Sequence, residues 1–340
     1  MRAWRIDAFG LENLGMQDLP EPVPGPGEVC VDLRALSLNY RDLLVLRGQY
    51  NPRFKLPAIP LSDGAGVVSA VGPDVSLFRE GDRVVTHFVS GWSDGPFREE
   101  YLDTTLGLPC TGVAAEQVVL PERALLHTPR SYDFDEAATL PIAALTAWSA
   151  LVTEGGIDPE GKQESLSVLC LGTGGVSLFA LSFAHAFGAE VLVTSSSHSK
   201  LERALELGAD HGINYAEDAE WDRAVRNLTC GVGVDLTVET CGAGTLNRSM
   251  AATRAGGTLS LIGVLAGAQA PIQIVSAIMK RQRLQGILVD SRSSFRTMIE
   301  FIDRRGVRPV IDRVYPFSEL PAAFERLASG RHFGKIVLTT

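Results

Sequence analysis

The chain has no C-x-x-C pair, no H-E-x-x-H and no other paired-histidine spacing, so the usual sequence marks of a metal site are missing. Its five cysteines, Cys30, Cys110, Cys170, Cys230 and Cys241, are odd in number and scattered, which argues against a disulfide framework or a structural zinc. Cys30, Cys170 and Cys241 fall in or beside apolar runs, where a free thiol behaves as a small hydrophobe. No stretch approaches the roughly 18 apolar residues of a membrane span. The opening MRAWRIDAFG also lacks the apolar core of a signal peptide, and the expectation is a soluble, cytoplasmic protein. Basic residues do not dominate: 31 Lys+Arg face 40 Asp+Glu, for a net charge of −9. That balance argues against nucleic acid or an anionic membrane as the main partner. His87, after the strand-like RVVTHF, reads as an ordinary hydrogen-bonded histidine.

What is present centres on residues 167–177, SVLCLGTGGVS, where an apolar run passes into a glycine-rich turn and then a helical pattern. Gly172 lets the chain turn off the strand, Gly174 lets backbone N–H groups approach a pyrophosphate, and the next helix presents its positive end. The third glycine of the common fingerprint is replaced by Ser177, still small enough for close helix–strand packing. The following helix closes at Gly188, EVLVTS reads as a second buried strand, and strand–helix alternation continues to GGTLSLIGV. Such alternation predicts an α/β unit of Rossmann type, a doubly wound parallel sheet.

The end of the second strand lacks the carboxylate that would bond an adenosine ribose 2′-OH. The run is Thr194-Ser195-Ser196-Ser197-His198-Ser199-Lys200. Hydroxyls together with Lys200 and Arg203 favour the 2′-phosphate of NADP(H), and Tyr215, after the third strand, is a candidate neighbour of the same phosphate. Residues 1 to about 125 differ: Pro and Gly separate short strand-like runs (EVCVDLRALSL, GAGVVSAVG, DRVVTHF), which predicts a β-rich, partly closed sheet. After the central unit, RLQGILVD, RVYPF and KIVLTT read as strands that rejoin one or both sheets. The expected organisation is a β-rich substrate domain over 1–127 and 268–340, a dinucleotide domain over 128–267, and a cleft between them.

The motifs PVPGPGEV (22–29), SDGAGVVSAVG (62–72), GDRV (81–84) and AATLPIAALTAW (137–148), in this order around the glycine turn, resemble the medium-chain dehydrogenase/reductase superfamily. The resemblance covers nearly the whole chain and implies that the β-rich domain is GroES-like. Alcohol dehydrogenases of that superfamily hold a catalytic zinc at positions that match Asn39, Ser62 and Ile142. None of these would hold zinc well, so no metal is expected, and the chain resembles the zinc-independent quinone oxidoreductase-like branch. Without a Lewis acid the suitable partner is an electrophilic carbonyl or quinone, which accepts hydride once oriented and hydrogen-bonded.

The resemblance implies Asn39, Tyr40 and Tyr50 as the groups nearest that chemistry. Bland alternatives are a loop tie for Asn39, pairing of Asp42 with Arg41 or Arg47, and an apolar wall for Tyr50. For the cofactor it implies Thr146 near the nicotinamide and Gly172, Thr173, Gly174, Gly175 and Val176 at the pyrophosphate. Ser195, Ser196, Ser197, Lys200 and Tyr215 would hold the adenosine phosphate, and Thr240, Cys241 and Gly242 the ribose. Ile262, Gly263, Val264, Leu288 and Val289 would frame the nicotinamide, and His332–Lys335, with Phe333 and Lys335, would form a closing segment. A homodimer or homotetramer is implied as well. Rival readings are a non-catalytic NADPH-binding sensor or crystallin-like protein, and a narrow-substrate alcohol dehydrogenase or enoyl reductase. The irregular stretch from 88 to 112 is expected to shape specificity, with Trp92 and Phe97 either lining an apolar pocket or pinning the loop.

Overall fold

In the computed structural model, which describes residues 1–161 and 165–340, the chain forms two units, Met1–Leu145 with Val289–Thr340 and Thr146–Leu288. The first unit holds β1 (Arg2–Ile6), β2 (Leu14–Asp18), β3 (Glu28–Ser37), β4 (Asp63–Val71), β5 (Arg83–Thr86), β6 (Gln117–Pro121) and β7 (Leu125–His127). The second holds β8 (Ser167–Leu171), β9 (Glu190–Ser195), β10 (His211–Asn214), β11 (Val234–Glu239), β12 (Thr253–Leu261) and β13 (Arg283–Gly286). The chain then returns to the first unit with β14 (Ile311–Pro316) and β15 (Lys335–Thr339).

In the first unit the strand order is β14-β15-β3-β4-β5-β7, with β6 also paired to β3. β3 is the spine of this sheet, buried everywhere except Glu28, Asp32 and Arg34. Register shifts against β4 at Cys30/Val31 and Leu33/Ala35 supply the local bends that curl an antiparallel sheet. Inside the curl pack Leu33, Leu36, Val68, Val84, Leu120 and Ile336, closed by Phe324 of the helix Leu320–Ala328.

The second unit is a six-stranded sheet in the order β10-β9-β8-β11-β12-β13, every pair parallel. This is the dinucleotide-fold order, with its reversal beside β8. β8 is buried at all five residues and β9 at all but Glu190, as continuous apolar strands covered on both faces should be. The helix Gly175–Phe187 buries Leu178, Leu181, Phe183 and Phe187 and ends at Gly188, whose φ of 83° is the left-handed stop expected there. The doubly wound sheet and the β-rich sheet of the sequence reading are both present.

The units divide at 146 and 289 rather than at 128 and 268. β13 pairs with β12 from Thr258↔Arg283 to Leu261↔Gly286, so the segment expected in the β-rich domain extends the parallel sheet instead. Its cue, RLQGILVD, is too short and too plain to say which sheet it joins. β14 and β15 rejoin the first sheet, so the C-terminal strands return to both.

Candidate functional site

In the second unit the loops that follow β8, β9, β10, β11 and β12, at the carboxyl edge of the parallel sheet, carry most of the residues expected to hold a cofactor. Gly172 follows β8 with φ 74°, a conformation only glycine takes without strain, and Cβ atoms built at Gly172 or Gly174 would meet open space. Gly174 starts the helix Gly175–Phe187 without a side-chain cap, so the first-turn N–H groups are donors for an anion. Ser177 is buried and donates to the Leu171 carbonyl at 2.6 Å, which binds helix to strand where the fingerprint would have glycine. Thr173 and Thr146 are buried, and Gly175 and Val176 are half-buried.

Register sets the neighbours of this turn. β8 pairs with β9 up to Leu171↔Thr194, and the Gly172 N–H donates to Thr194 Oγ1 at 3.3 Å. Ser195 ends β9 and accepts the Tyr215 N–H on its carbonyl at 3.1 Å, which brings the exposed Tyr215 ring to the serine run. Ser196 is exposed, Ser197 is half-buried, and Lys200 lies in the first turn of the helix His198–Glu206. Thr240 donates to the Leu171 carbonyl at 2.8 Å, tying the loop after β11 to β8. A Cβ on Gly263 would lie 1.9 Å from the Thr240 carbonyl, so only glycine lets the loops after β11 and β12 approach this closely. Ile262 and Leu288 are half-buried, Val264 is 43% exposed, and Val289, in the first unit, is buried.

Sequence reasoning missed Glu239, at the end of β11 and wholly buried. Its carboxylate accepts from Cys241 N (2.9 Å), Gly242 N (3.0 Å), Thr245 Oγ1 (2.8 Å) and Ser249 Oγ. It shapes the whole 240–245 loop. The cue was an acid closing a strand, VDLTVE, whose residues alternate apolar and polar, at the end where the cofactor loop begins.

In the first unit, Asn39, Ser62 and Ile142 converge on a buried ion pair. Lys335 Nζ, on a side chain 4% exposed, sits 3.7 Å from Asp63 Oδ2 and donates to Asn39 Oδ1 at 2.6 Å and the Leu38 carbonyl at 2.7 Å. Asp63 accepts from Ser62 Oγ at 2.9 Å and from the Ile142 backbone N–H at 3.3 Å. Burial pushes the Asp63 carboxyl up while the Lys335 charge draws it down, and burial pulls the Lys335 amine below its ordinary value against the opposing charges of Asp63 and Asp42. Lys335, expected in a cofactor-closing segment, is therefore engaged inside the first unit, and its neighbour Phe333 is core.

Asp42 accepts the Asn39 backbone N–H at 2.8 Å and pairs with Arg41 at 3.3 Å. Arg41 also donates to the Leu106, Gly107 and Leu108 carbonyls and lies over the Tyr50 ring at 4.8 Å and Phe88 at 5.1 Å. That stack holds the 42% exposed Tyr50 in place, whereas Tyr40 packs against the core. In the 88–112 stretch Trp92 is buried among Phe97 and Tyr101 and donates to the Gly95 carbonyl. Trp92 thus pins the loop, which is further tied by Arg292 N to the Trp92 carbonyl.

His87 is buried, with Nε2 2.9 Å from the Asp290 carbonyl. Burial, aided by Arg292 and opposed by that carbonyl, lowers its pKa from 6.5 to about 4. The folded state then binds fewer protons than the unfolded one, so this contribution is complete above 6.5 and disappears as pH falls through 4. Asp42 runs the other way: burial, against Arg41, raises it from 3.8 to about 6, so its contribution is complete below 3.8 and disappears as pH rises through 6. Each swing is worth roughly 3 kcal/mol. In urea titrations from pH 7 to 4, His87→Gln should gain stability relative to wild type and Asp42→Asn should lose it. Two variants that track wild type across this range would refute the assignment.

The donor set does not suit zinc. Asn39 Oδ1 is taken by an ammonium, Ser62 donates its hydroxyl to Asp63, Ile142 offers only an N–H, and a fixed cation already stands among them. Among the described residues no three His, Cys, Asp or Glu side chains converge as a metal group, and no helix is long and apolar enough to cross a membrane.

Two family models match the chain: an alcohol dehydrogenase GroES-like domain over 25–130 and a zinc-binding dehydrogenase over 175–304. The zinc-binding description thus covers none of positions 39, 62 and 142. The chain is 43% identical to a zinc-type alcohol dehydrogenase-like protein of Schizosaccharomyces pombe over 97% of its own length and 96% of that protein. It is 28% identical to a chloroplast envelope quinone oxidoreductase homolog of Arabidopsis thaliana, covering 99% of each. A crystal structure of an NAD-dependent alcohol dehydrogenase superposes with a TM-score of 0.90 at 35% identity, with 100% of both chains covered.

Proposed function

The chain belongs to the medium-chain dehydrogenase/reductase superfamily of oxidoreductases, and from that membership we propose an NADPH-dependent reductase that passes hydride to a quinone or α,β-unsaturated carbonyl without zinc. The observation that carries the proposal is that Asn39, Ser62 and Ile142, the positions that the resemblance matches to a zinc-ligand set, gather on the Asp63–Lys335 pair. Oxidation of a plain alcohol needs a Lewis acid or base on the oxygen; a conjugated acceptor needs orientation and a hydrogen bond where negative charge develops.

The open glycine turn fits a dinucleotide, which when bound supplies the hydride. The N–H groups around Gly174 and Gly175 take its pyrophosphate, and Ser195, Ser196, Ser197, Lys200 and Tyr215 take the 2′-phosphate. Thr240, Cys241 and Gly242, shaped by Glu239, lie along the ribose, with Thr146, Ile262, Gly263, Val264, Leu288 and Val289 as the nicotinamide's neighbours. In the first unit, Asn39 donates its amide to the acceptor oxygen, and the Tyr50 hydroxyl, steadied by Arg41, supplies the proton that completes reduction. The first unit thereby serves as the substrate domain and the second as the cofactor domain.

A homodimer is part of the same reading. β13 is an edge strand, and the adjoining helix Ile274–Lys280 exposes Ile274, Val275, Ile278 and Met279 by 64–77%, an apolar face that a second copy would cover.

The test is NADPH oxidation by chelator-treated protein against one quinone, one conjugated enone and one saturated aldehyde, with the mass of the same preparation measured by light scattering. Turnover of quinone or enone after chelation and twice the chain mass are expected. Activity confined to the aldehyde and abolished by chelator would overturn the zinc-free reading, and a mass of one chain would overturn the dimer.

A further inference from the structure

We infer that Lys335 is a positioning residue for Asn39, its ammonium holding the carboxamide oxygen so that the amide nitrogen is kept for the acceptor. The inference rests on the reading that Asn39 meets the acceptor oxygen.

An ammonium has three donors and no acceptor. The atom of Asn39 that lies 2.6 Å from Lys335 Nζ is therefore the carboxamide oxygen, and the amide cannot be flipped without setting two donors face to face. With its oxygen held there, Asn39 Nδ2 is buried and makes no hydrogen bond. It faces Asp63 closely enough to favour that carboxylate, yet outside hydrogen-bond geometry. An unpaired buried donor is unfavourable until an acceptor arrives, and an oxygen that gains negative charge during reaction is the acceptor it stabilises most. Lys335 itself has little freedom: the Leu38 carbonyl at 2.7 Å and Asp63 at 3.7 Å fix its remaining directions. Without the ammonium nothing holds Oδ1 in place, the carboxamide can rotate, and Nδ2 loses its fixed direction.

Ser62 and Ile142 point to the same arrangement. Both donate to Asp63, so each segment that would present a metal ligand instead closes on the ion pair. The fixed positive charge of Lys335 thus stands at the site and orients the Asn39 carboxamide beside it.

The test is a double-mutant cycle on kcat and KM for the enone, with the Kd of NADPH measured by fluorescence. Asn39→Ala and Lys335→Met should each lower kcat by about 30-fold, the worth of one charge-assisted hydrogen bond. The double variant should be no slower than either single, because both remove the same donor. NADPH affinity should stay within about threefold of wild type. If Lys335→Met does not fold, Lys335→Met with Asp63→Asn, which buries no unpaired charge, takes its place in the cycle. Additive losses, an unchanged kcat in Lys335→Met, or a loss of NADPH affinity matching the loss of rate would overturn the inference while leaving the role of Asn39 intact. An Asn39→Ala enzyme with wild-type kcat would overturn both.

Discussion

Lys200→Glu should raise the KM for NADPH by about 100-fold and leave that for NADH within about threefold. The 2′-phosphate carries close to two negative charges; removing a charge-assisted contact and adding a repulsion together approach 3 kcal/mol, which is about two powers of ten. The location of the residue supports this magnitude. β9 ends at Ser195 without a carboxylate, Tyr215 is bonded through its backbone to the Ser195 carbonyl, and Lys200 sits in the first turn of the next helix. Steady-state kinetics with both cofactors decides the matter. Equal responses of NADPH and NADH, or a wild-type preference for NADH like that named for the similar NAD-dependent alcohol dehydrogenase, would show that this run does not read the phosphate.

Asp63→Ala should destabilise the fold by about 3–5 kcal/mol, because it leaves the Lys335 ammonium buried without its counter-ion. Ser62 Oγ and the Ile142 N–H lose their acceptor in the same change. Asp63→Asn, which keeps an acceptor oxygen, should be milder, and Asp63→Ala combined with Lys335→Met should recover part of the loss because no charge is then stranded. Urea midpoints at pH 7.5 measure all three. A single Asp63→Ala variant within about 1 kcal/mol of wild type would mean that the pair is not a buried, mutually neutralising one.

The two units differ in how much of them was legible beforehand. The second unit announces itself because its information is local: an apolar run, a glycine turn and a helical stripe lie within 22 consecutive residues, and parallel pairing follows from the alternation. Even the departure at Ser177 is readable, since a small side chain fits and its hydroxyl finds Leu171. The first unit's site is built from residues remote in sequence. Asn39 and Lys335 are 296 positions apart, and no periodicity or motif spacing relates them; resemblance marked both segments without relating one to the other. The boundary at 289 was missed for the same kind of reason. A four-residue strand such as Arg283–Gly286 carries no sign of which sheet edge it will extend.

The placement of β15 between β14 and β3 also sets an order of events during synthesis. The second unit is one continuous stretch, Thr146–Leu288, and can fold as soon as it leaves the ribosome. β3 must wait for its neighbour. At roughly 5–20 residues per second, the 296 positions between Asn39 and Lys335 correspond to about 15–60 s of translation. Through that interval the nascent chain carries Asp63 with no lysine to receive it, and the Ala35–Ser37 end of β3 is open to other strands or to a chaperone. The second unit can be finished while the first, begun earlier, still lacks its last two strands.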